Sequence, residues 1–269
     1  MLGVEATGGY HELLAGLAVA AGLTVFVLNP KDVCHYAKAC GARAKTDRVD
    51  AALIARFVAH EHRQLHPYCS PTPAQRRLQQ LVKRRAKLVA LKGALTLSLQ
   101  GVPDLAAELK AVLMRFNALL AKLDATLACR VAQAPATHAA QMRLQTIVGV
   151  GPLVSTALAI TLERLPLRNA DALIAFTGLD PRPCDSGTKR GRRRLSKRGP
   201  SELRRLLFNA AMSAAKTKTW KPFYAHYRQR GWPSTAALNI IARKIARTAW
   251  SMHHHGTTFN PQRLTQSLT

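Results

Sequence analysis

The stretch from Pro71 to about Ala134 constrains the fold most, because it combines helical periodicity with an absence of strand signals. Leucine and valine recur there at three- and four-residue spacing on both sides of a single break, Gly101-Val102-Pro103. The pattern predicts two long amphipathic helices. Antiparallel or intermolecular coiled-coil packing is compatible with it, although the heptads are too irregular to fix an oligomeric state.

The segment before these helices alternates strand and helix signals. Leu2–Glu5 is typical of the end of a strand, residues 10–21 of a helix, and Leu23–Leu28 of a buried strand. Thr46 is placed to cap a further helix that runs to about His60. This order predicts an α/β domain.

The segment after them favours helices again. Two helical stretches meet at Gly149-Val150-Gly151, a junction similar to a helix-hairpin-helix, in which glycines let backbone N–H groups approach a phosphate. Gly149 and Gly151 are therefore candidate nucleic-acid contacts, and a plain helix–helix turn is the alternative. The expected fold class is α/β plus all-α, divided into an α/β domain (1–68), a helical coiled-coil connector (69–138) and a helical C-terminal domain (139–269).

Charge indicates the partner. The chain carries 40 Lys and Arg against 14 Asp and Glu, a formal net charge of +26. Such a field attracts polyanions, and nucleic acid is favoured because each phosphate contact releases counterions. Ribosomal and nucleoid proteins are equally basic, so charge alone does not identify an activity. Hydrophobic residues make up 48% of the chain, which is enough for folded cores.

Cysteine usage and hydropathy indicate the compartment. The five cysteines are scattered without a C-x-x-C pair, which favours a reducing environment and argues against a disulfide framework or a zinc knuckle. The uncharged stretch Leu13–Leu28 is too short to span a bilayer comfortably, and no basic segment of a signal peptide precedes it. We expect a cytoplasmic protein without a membrane partner.

Three carboxylates near the start stand out against the scarcity of acids. Asp47 and Asp50 lie three residues apart on one face of a predicted helix, and Glu5 lies at a predicted strand end. Such a set could hold a divalent metal against a nucleic-acid phosphate. The alternative is that Asp47 and Asp50 merely interact with the helix macrodipole.

A second chemical segment lies in the C-terminal domain. Ten Lys or Arg occur from Arg182 to Arg205, with Asp185 and Glu202 the only acids, in a stretch punctuated by Gly and Pro. This composition predicts a phosphate-binding surface. Ser186 and Ser196 lie within it, and each could bond a phosphate, cap a helix or act as a nucleophile. The candidate nucleic-acid contacts are Arg182, Lys189, Arg190, Arg192, Arg193, Arg194, Lys197 and Arg198.

The motifs together resemble one known family. The first part of the chain looks like the second half of the RuvC-like DEDD domain of insertion sequence one-ten transposases, relatives of the Piv DNA invertase. The motifs that carry this likeness are Glu-Ala-Thr-Gly-x-Tyr from Glu5, Asn29-Pro30, and the run from Ala44 to Ala51. The later motifs are similar to that family's C-terminal transposase domain; they are Phe176-x-Gly178-Leu179-x-Pro181, Ser186-Gly187, Leu195-Ser196-Lys197-Arg198-Gly199, Leu203-Arg204 and Ala242-Arg243-Lys244.

The resemblance implies a catalytic set. The family has four acids, and Glu5, Asp47 and Asp50 match the last three as ligands of Mg²⁺ or another divalent metal. The first Asp has no counterpart here, so we expect a RuvC/RNase H-like domain that is only partial, in a chain truncated at its N-terminus. The family also has a nucleophilic serine, for which the Ser-Gly motif indicates Ser186, with Ser196 as the reserve candidate.

The resemblance further implies a DNA transposase that cuts and rejoins DNA, is guided by a structured RNA, and works as a homo-oligomer, a dimer or tetramer. It also implies a bacterial, nucleoid-associated protein. Three alternatives remain open from the residues. They are a RuvC-like metal-dependent nuclease, a non-enzymatic nucleic-acid-binding protein, and an inactive transposase remnant.

Overall fold

The computed structural model describes residues 1–269 except Gly8, 43–45, Cys184, 189–190, Arg192 and 266–269. The chain divides into two compact units, Met1–Pro71 and Thr72–Thr269. The helices of the predicted connector belong to the second unit, and the division into three domains stays a prediction.

The first unit is a small α/β layer structure. Its elements are β1 (Leu2–Glu5), α1 (Tyr10–Ala20), β2 (Val25–Leu28), α2 (Pro30–Ala39) and α3 (Asp47–Glu61). β1 and β2 pair in parallel, and α1 supplies the crossover that parallel strands require. The predicted strand at residues 23–28 starts two residues later in the structure. Leu23 instead follows the turn at Gly22, where φ is +79°.

Helices cover both faces of this sheet. One face packs against Ala15 and Ala18 of α1, and the other contacts Val33 of α2 and Val58 of α3. Helix α3 presses closely on β1, since a Cβ at Gly3 would lie 2.6 Å from Cγ2 of Val58. The expected α/β organisation is therefore present.

The second unit is helical. Its helices are α4 (Pro73–Ser98), α5 (Ala106–Ala132), α6 (Pro135–Gln145), α7 (Pro152–Arg164), α8 (Ala170–Thr177), α9 (Ser201–Ala214), α10 (Lys221–Gln229), α11 (Ser234–His255) and α12 (Gln262–Thr265), with a 3-10 turn at Pro103–Leu105. Two short strands, β3 (Pro181–Arg182) and β4 (Arg194–Leu195), pair antiparallel. The two predicted long helices and the break between them are confirmed.

Helices α4 and α5 form an antiparallel hairpin. Arg85 meets Asp124 through two hydrogen bonds, and Lys92 Nζ donates to Asn117 Oδ1 at 2.6 Å, so residues further along α4 meet residues earlier on α5. At the end of the hairpin nearer the core, Leu78 and Leu127 join the main hydrophobic cluster.

That cluster is centred on α7, α9 and α11. The fully buried residues include Leu158, Leu207, Ile241 and Ile245, and Trp220 before α10 is buried beside them. Among the described residues, no helix is both long enough and apolar enough to cross a membrane.

Candidate functional site

Two glycines allow the backbone before the basic segment to contact the backbone after it. Gly178 follows α8 with φ +69°, and a Cβ there would lie 2.8 Å from the backbone nitrogen of Arg198. A Cβ at Gly199 would lie 1.7 Å from the carbonyl oxygen of Phe176, a distance that no side chain permits. The two backbone stretches can therefore touch only because both positions lack a side chain.

Hydrogen bonds close the same junction. Lys197 N–H donates to the carbonyl of Gly178 at 3.1 Å, and Ser196 N–H donates to the carbonyl of Asp180 at 2.9 Å. The guanidinium of Arg204 on α9 bridges the two sides, since Nη1 donates to the carbonyls of Thr177 at 3.1 Å and of Gly199 at 3.2 Å. Burial lowers the pKa of Arg204. We call this junction, formed by residues 176–182 and 194–204, the clasp.

Two of the motifs named in the sequence analysis form the two sides of the clasp. Phe-x-Gly-Leu-x-Pro forms one side and Leu-Ser-Lys-Arg-Gly forms the other, and strands β3 and β4 extend the pairing outward. The stretch between the strands, of which the structure describes residues 183, 185–188, 191 and 193, is called the loop below, and its two ends are held together by this pairing. A loop with fixed ends presents its side chains with less loss of entropy on binding.

Asp185 ties this loop across its width. Its Oδ1 accepts the N–H of Gly191 at 3.0 Å and the Nη1 of Arg193 at 2.5 Å. The hydrogen bond from Arg193 is the largest cause that lowers the pKa of Asp185, and the N–H of Gly191 acts in the same direction. The same hydrogen bond raises the pKa of Arg193. Asp185 therefore anchors the loop through these two hydrogen bonds.

The predicted cations occupy both the loop and the clasp. Arg182, Arg193, Arg194, Lys197 and Arg198 are exposed to solvent. The remaining candidates, Lys189, Arg190 and Arg192, lie outside the described residues.

The two candidate serines differ in their surroundings. Ser186 is exposed within the loop, directly after the anchored Asp185. Ser196 is partly buried in the clasp, where its hydroxyl donates to Oδ1 of Asp180. The Asp180 contact assigns Ser196 a structural bond, whereas the side chain of Ser186 faces solvent.

The glycines of the predicted hairpin element also differ. Gly149 has φ +95°, and a Cβ there would lie 2.6 Å from the Cβ of Ala214 on α9. Close packing against Ala214 thus accounts for the need for glycine at position 149. Gly151 has open space around it and precedes Pro152, the first residue of α7. Phosphate binding at either position stays a prediction.

The three carboxylates lie in the first unit. Asp47 and Asp50 are in the first turn of α3, as predicted, and Thr46 caps this helix by accepting the N–H of Val49 at 3.3 Å. Glu5 ends β1, and its Oε1 accepts the hydroxyl of Thr7 at 3.1 Å.

Glu5 faces the N-terminal part of α3. It lines the same open groove as Ala51, which directly follows Asp50. Within the described part of the chain, however, no three His, Cys, Asp or Glu side chains gather closely enough to hold a metal ion. The expected convergence of Glu5 with Asp47 and Asp50 into one cluster is therefore absent from the structure, and metal binding by these residues stays a prediction. Their donor chemistry fits a hard divalent cation, which prefers carboxylate oxygens.

Sequence reasoning missed two structural members of the site. Asp180 is the variable residue of Gly-Leu-x-Pro, so its bond to Ser196 has no signal in the motif. Arg204 belongs to the Leu203-Arg204 motif, but its role as the bridge across the clasp depends on contacts between residues distant in sequence.

Comparison with known proteins agrees with this arrangement. A model of the DEDD transposase domain of IS110 elements matches residues 1–106, and a model described as transposase, IS116/IS110/IS902 family, matches residues 141–228. The second match contains the clasp and its loop.

The named relatives match between 44% and 96% of the chain. The pilin gene-inverting protein of Moraxella lacunata is 25% identical over 270 residues, which cover 96% of this chain and 81% of the relative. The transposase for insertion sequence element IS1328 of Yersinia enterocolitica is 32% identical over 127 residues, covering 44% of this chain and 37% of the relative. A probable family 20 transposase of Pseudomonas aeruginosa is 28% identical over 164 residues, covering 59% and 47%.

The two matched domains, in this order on one basic chain, define a DNA transposase. More particularly, the chain belongs to the IS110 family of transposases, enzymes of DNA recombination. The resemblance inferred from the motifs is confirmed.

Proposed function

We propose that this transposase cuts and rejoins DNA through Ser186, with the carboxylates Glu5, Asp47 and Asp50 as its metal-binding residues. The observation that carries the proposal is the clasp. It anchors both ends of a cation-rich loop and leaves Ser186 exposed within that loop.

The covalent step is a phosphoryl exchange. The Oγ of Ser186 attacks the phosphorus of a DNA phosphodiester and loses its proton, while the bond from phosphorus to the leaving deoxyribose oxygen breaks and that oxygen takes up a proton. A phosphoserine ester now joins protein and DNA. Attack by the hydroxyl of another strand end reverses the step and restores Ser186, so strands are rejoined without net hydrolysis.

The cations of the loop and of the clasp stabilise the negative charge that develops on the phosphate. Arg182 and Arg194 face each other across β3 and β4, which supports a role on either side of the bound phosphate. We assign the same role to Lys189, Arg190 and Arg192, and backbone contacts to Lys197 and Arg198.

Glu5, Asp47 and Asp50 would hold Mg²⁺ or another divalent metal through their carboxylate oxygens. A bound metal of this kind supplies charge stabilisation at phosphate and lowers the pKa of an attacking hydroxyl. The parallel β1–β2 pair with helices on both faces supports a RuvC/RNase H-like domain as the scaffold of these residues.

Guidance by a structured RNA and assembly as a dimer or tetramer complete the proposal. The excess of cations supports binding to both DNA and RNA. The exposed apolar residues of the α4–α5 hairpin, including Leu97, Met114 and Leu119, support contacts between protomers.

The test is to supply the protein with guide RNA, DNA ends and Mg²⁺, and to look for protein covalently attached to DNA. Ser186→Ala should abolish the adduct and leave DNA affinity nearly unchanged. Ser196→Ala is the matched control. It should still form the adduct, in an amount proportional to the fraction of this variant that remains folded.

If the adduct persists in Ser186→Ala and disappears in a well-folded Ser196→Ala, the nucleophile is Ser196. If both variants form it, the serine mechanism is wrong for this protein. Asp47→Asn combined with Asp50→Asn should remove metal-dependent activity while leaving the α3 cap at Thr46 in place.

A further inference from the structure

Helix α11 carries a cluster of three cations outside the clasp. Arg243 and Lys244 are partly buried, and Arg247 lies one turn further along the same helix. The neighbouring Ala242 and Ile245 are fully buried in the core, so the cations lie along the border between core and solvent.

The three cations differ in their partners. Arg247 donates through Nη2 to Oδ1 of Asp171 on α8, which fixes its position. Arg243 has a buried Nε that finds no hydrogen-bond acceptor among the described residues. Within the same part of the chain, neither Arg243 nor Lys244 forms a salt bridge.

The surroundings are unfavourable for two unpaired charges. Burial is the main cause that lowers the pKa of both Arg243 and Lys244, and repulsion by Arg247 lowers both further. Tyr227 of α10 is the single neighbour that acts in the opposite direction on Arg243. Partly buried cations are ordinarily paired with an anion.

Tyr227 of α10, which interacts electrostatically with Arg243, belongs to a group of packed aromatic rings. It packs against Phe223 with ring centroids 5.3 Å apart and against Trp232 at 6.4 Å. These three rings lie on α10 or directly after it.

We propose that Arg243 and Lys244 bind a phosphate oxyanion, beside the third cation Arg247 that Asp171 positions. Arg243 supplies a planar fork of N–H donors suited to two phosphate oxygens, and Lys244 supplies a compact charge. The inference rests on the proposed function only in naming a nucleic-acid backbone as the source of this phosphate. Binding of the phosphate itself does not depend on serine chemistry.

The first experiment uses pyrophosphate as the probe and measures the Tm of the whole chain at constant ionic strength. Pyrophosphate should raise the Tm of the wild type in a saturable manner, because a ligand that binds the folded state stabilises it. Arg243→Gln combined with Lys244→Gln should lose this shift. The control, Lys110→Gln combined with Arg115→Gln, removes the same charge from exposed positions of α5 and should keep it.

The Tm without ligand separates a binding role from a structural one. Removal of two repelling, unpaired cations should leave the Tm of the Arg243/Lys244 double variant equal to or above that of the wild type. A clearly lower Tm would mean that these side chains serve packing, and would overturn the proposal. An equal pyrophosphate shift in all three proteins would overturn it as well.

The second experiment measures affinity for a DNA duplex against salt concentration. The Arg243/Lys244 double variant should bind about tenfold or more weakly, and its salt dependence should fall by about two units, as expected for two lost phosphate contacts. The control variant should change less. Equal losses in both variants would show a mere effect of net charge and would contradict a nucleic-acid ligand.

If the pyrophosphate shift is lost while duplex affinity is unchanged, the phosphate site stands and its ligand is a free phosphate. A failure of Ser186→Ala to abolish the covalent adduct would leave both measurements unaffected, so the two proposals fail separately.

Discussion

At the residue scale, Gly199 shows how one missing side chain can fix a site. Its Cα lies so close to the carbonyl oxygen of Phe176 that this oxygen leaves no room for a Cβ at position 199. The Arg204 side chain then bonds the carbonyls on both sides of this contact. Lys197, two residues earlier, adopts φ +53°, a left-handed conformation that is uncommon for a residue with a side chain. The clasp therefore concentrates backbone constraints beside the candidate nucleophile loop.

Replacement of this glycine provides a prediction. Gly199→Ala should lower the free energy of unfolding by about 3 kcal/mol, because the backbone of α8 must move away to admit the methyl group. Urea denaturation measures the change. The matched control is Gly93→Ala in α4, which has open space and a helical position, and which should instead raise stability by about 0.5–1 kcal/mol. Equal stability of the two variants would show that the clasp opens at little cost.

At the element scale, the α4–α5 hairpin depends on a few polar contacts along its length. Near the core, apolar residues bury its surface, whereas Leu97 and Met114 further out are exposed. The bidentate pair of Arg85 and Asp124 lies between these regions, with 23% and 44% of the side-chain surface exposed. Such a pair fixes the alignment of the two helices more than it adds stability.

A double-mutant cycle tests this alignment. Arg85→Gln, Asp124→Asn and the double variant should give a coupling energy of about 1 kcal/mol, reduced at high salt because both groups are partly solvated. Chemical denaturation of the four proteins gives the value. The pair of Arg205 and Glu202 is the control, because it is similarly exposed but lies one turn apart within the single helix α9, and it should couple by about 0.3 kcal/mol. Coupling in the control equal to that of Arg85 and Asp124 would refute a special role in the hairpin.

At the scale of the whole molecule, the excess of cations dominates behaviour. A net charge of +26 makes association with polyanions favourable, and it makes each contact sensitive to salt. The charges that are already paired, such as Arg85, Arg193 and Arg205, contribute less to this field near their partners.

Affinity for both DNA and structured RNA should therefore fall steeply with salt. If about six phosphates are contacted, affinity for duplex DNA should fall about a thousandfold between 50 and 200 mM salt. Fluorescence anisotropy with a labelled duplex measures it, and unfolding curves at each salt concentration show that the fold is unchanged. Affinity that is insensitive to salt over this range would contradict the prediction.

The sequence by itself determined the elements that depend on local chemistry. Thr46 caps α3 as predicted, because a threonine before a helix satisfies a free N–H of its first turn. The break at Gly101-Val102-Pro103 separates two long helices because proline and glycine disfavour a continuing helix. Motifs of short length and fixed order identified the IS110 family, since they record residue identities and not distances.

The tertiary structure decided what depends on contacts between distant residues. Gly149 packs against Ala214 of α9, a neighbour that no local pattern specifies, and its contact with a phosphate stays a prediction. The hydrogen bond from Ser196 to Asp180 joins residues sixteen positions apart and places this serine in the clasp, while its role as the reserve nucleophile stays a prediction. Arg243 and Lys244 were only part of a motif, and the assembled structure is what shows that neither forms a salt bridge among the described residues. Burial, repulsion and close packing are properties of the assembled chain, and local sequence carries no direct record of them.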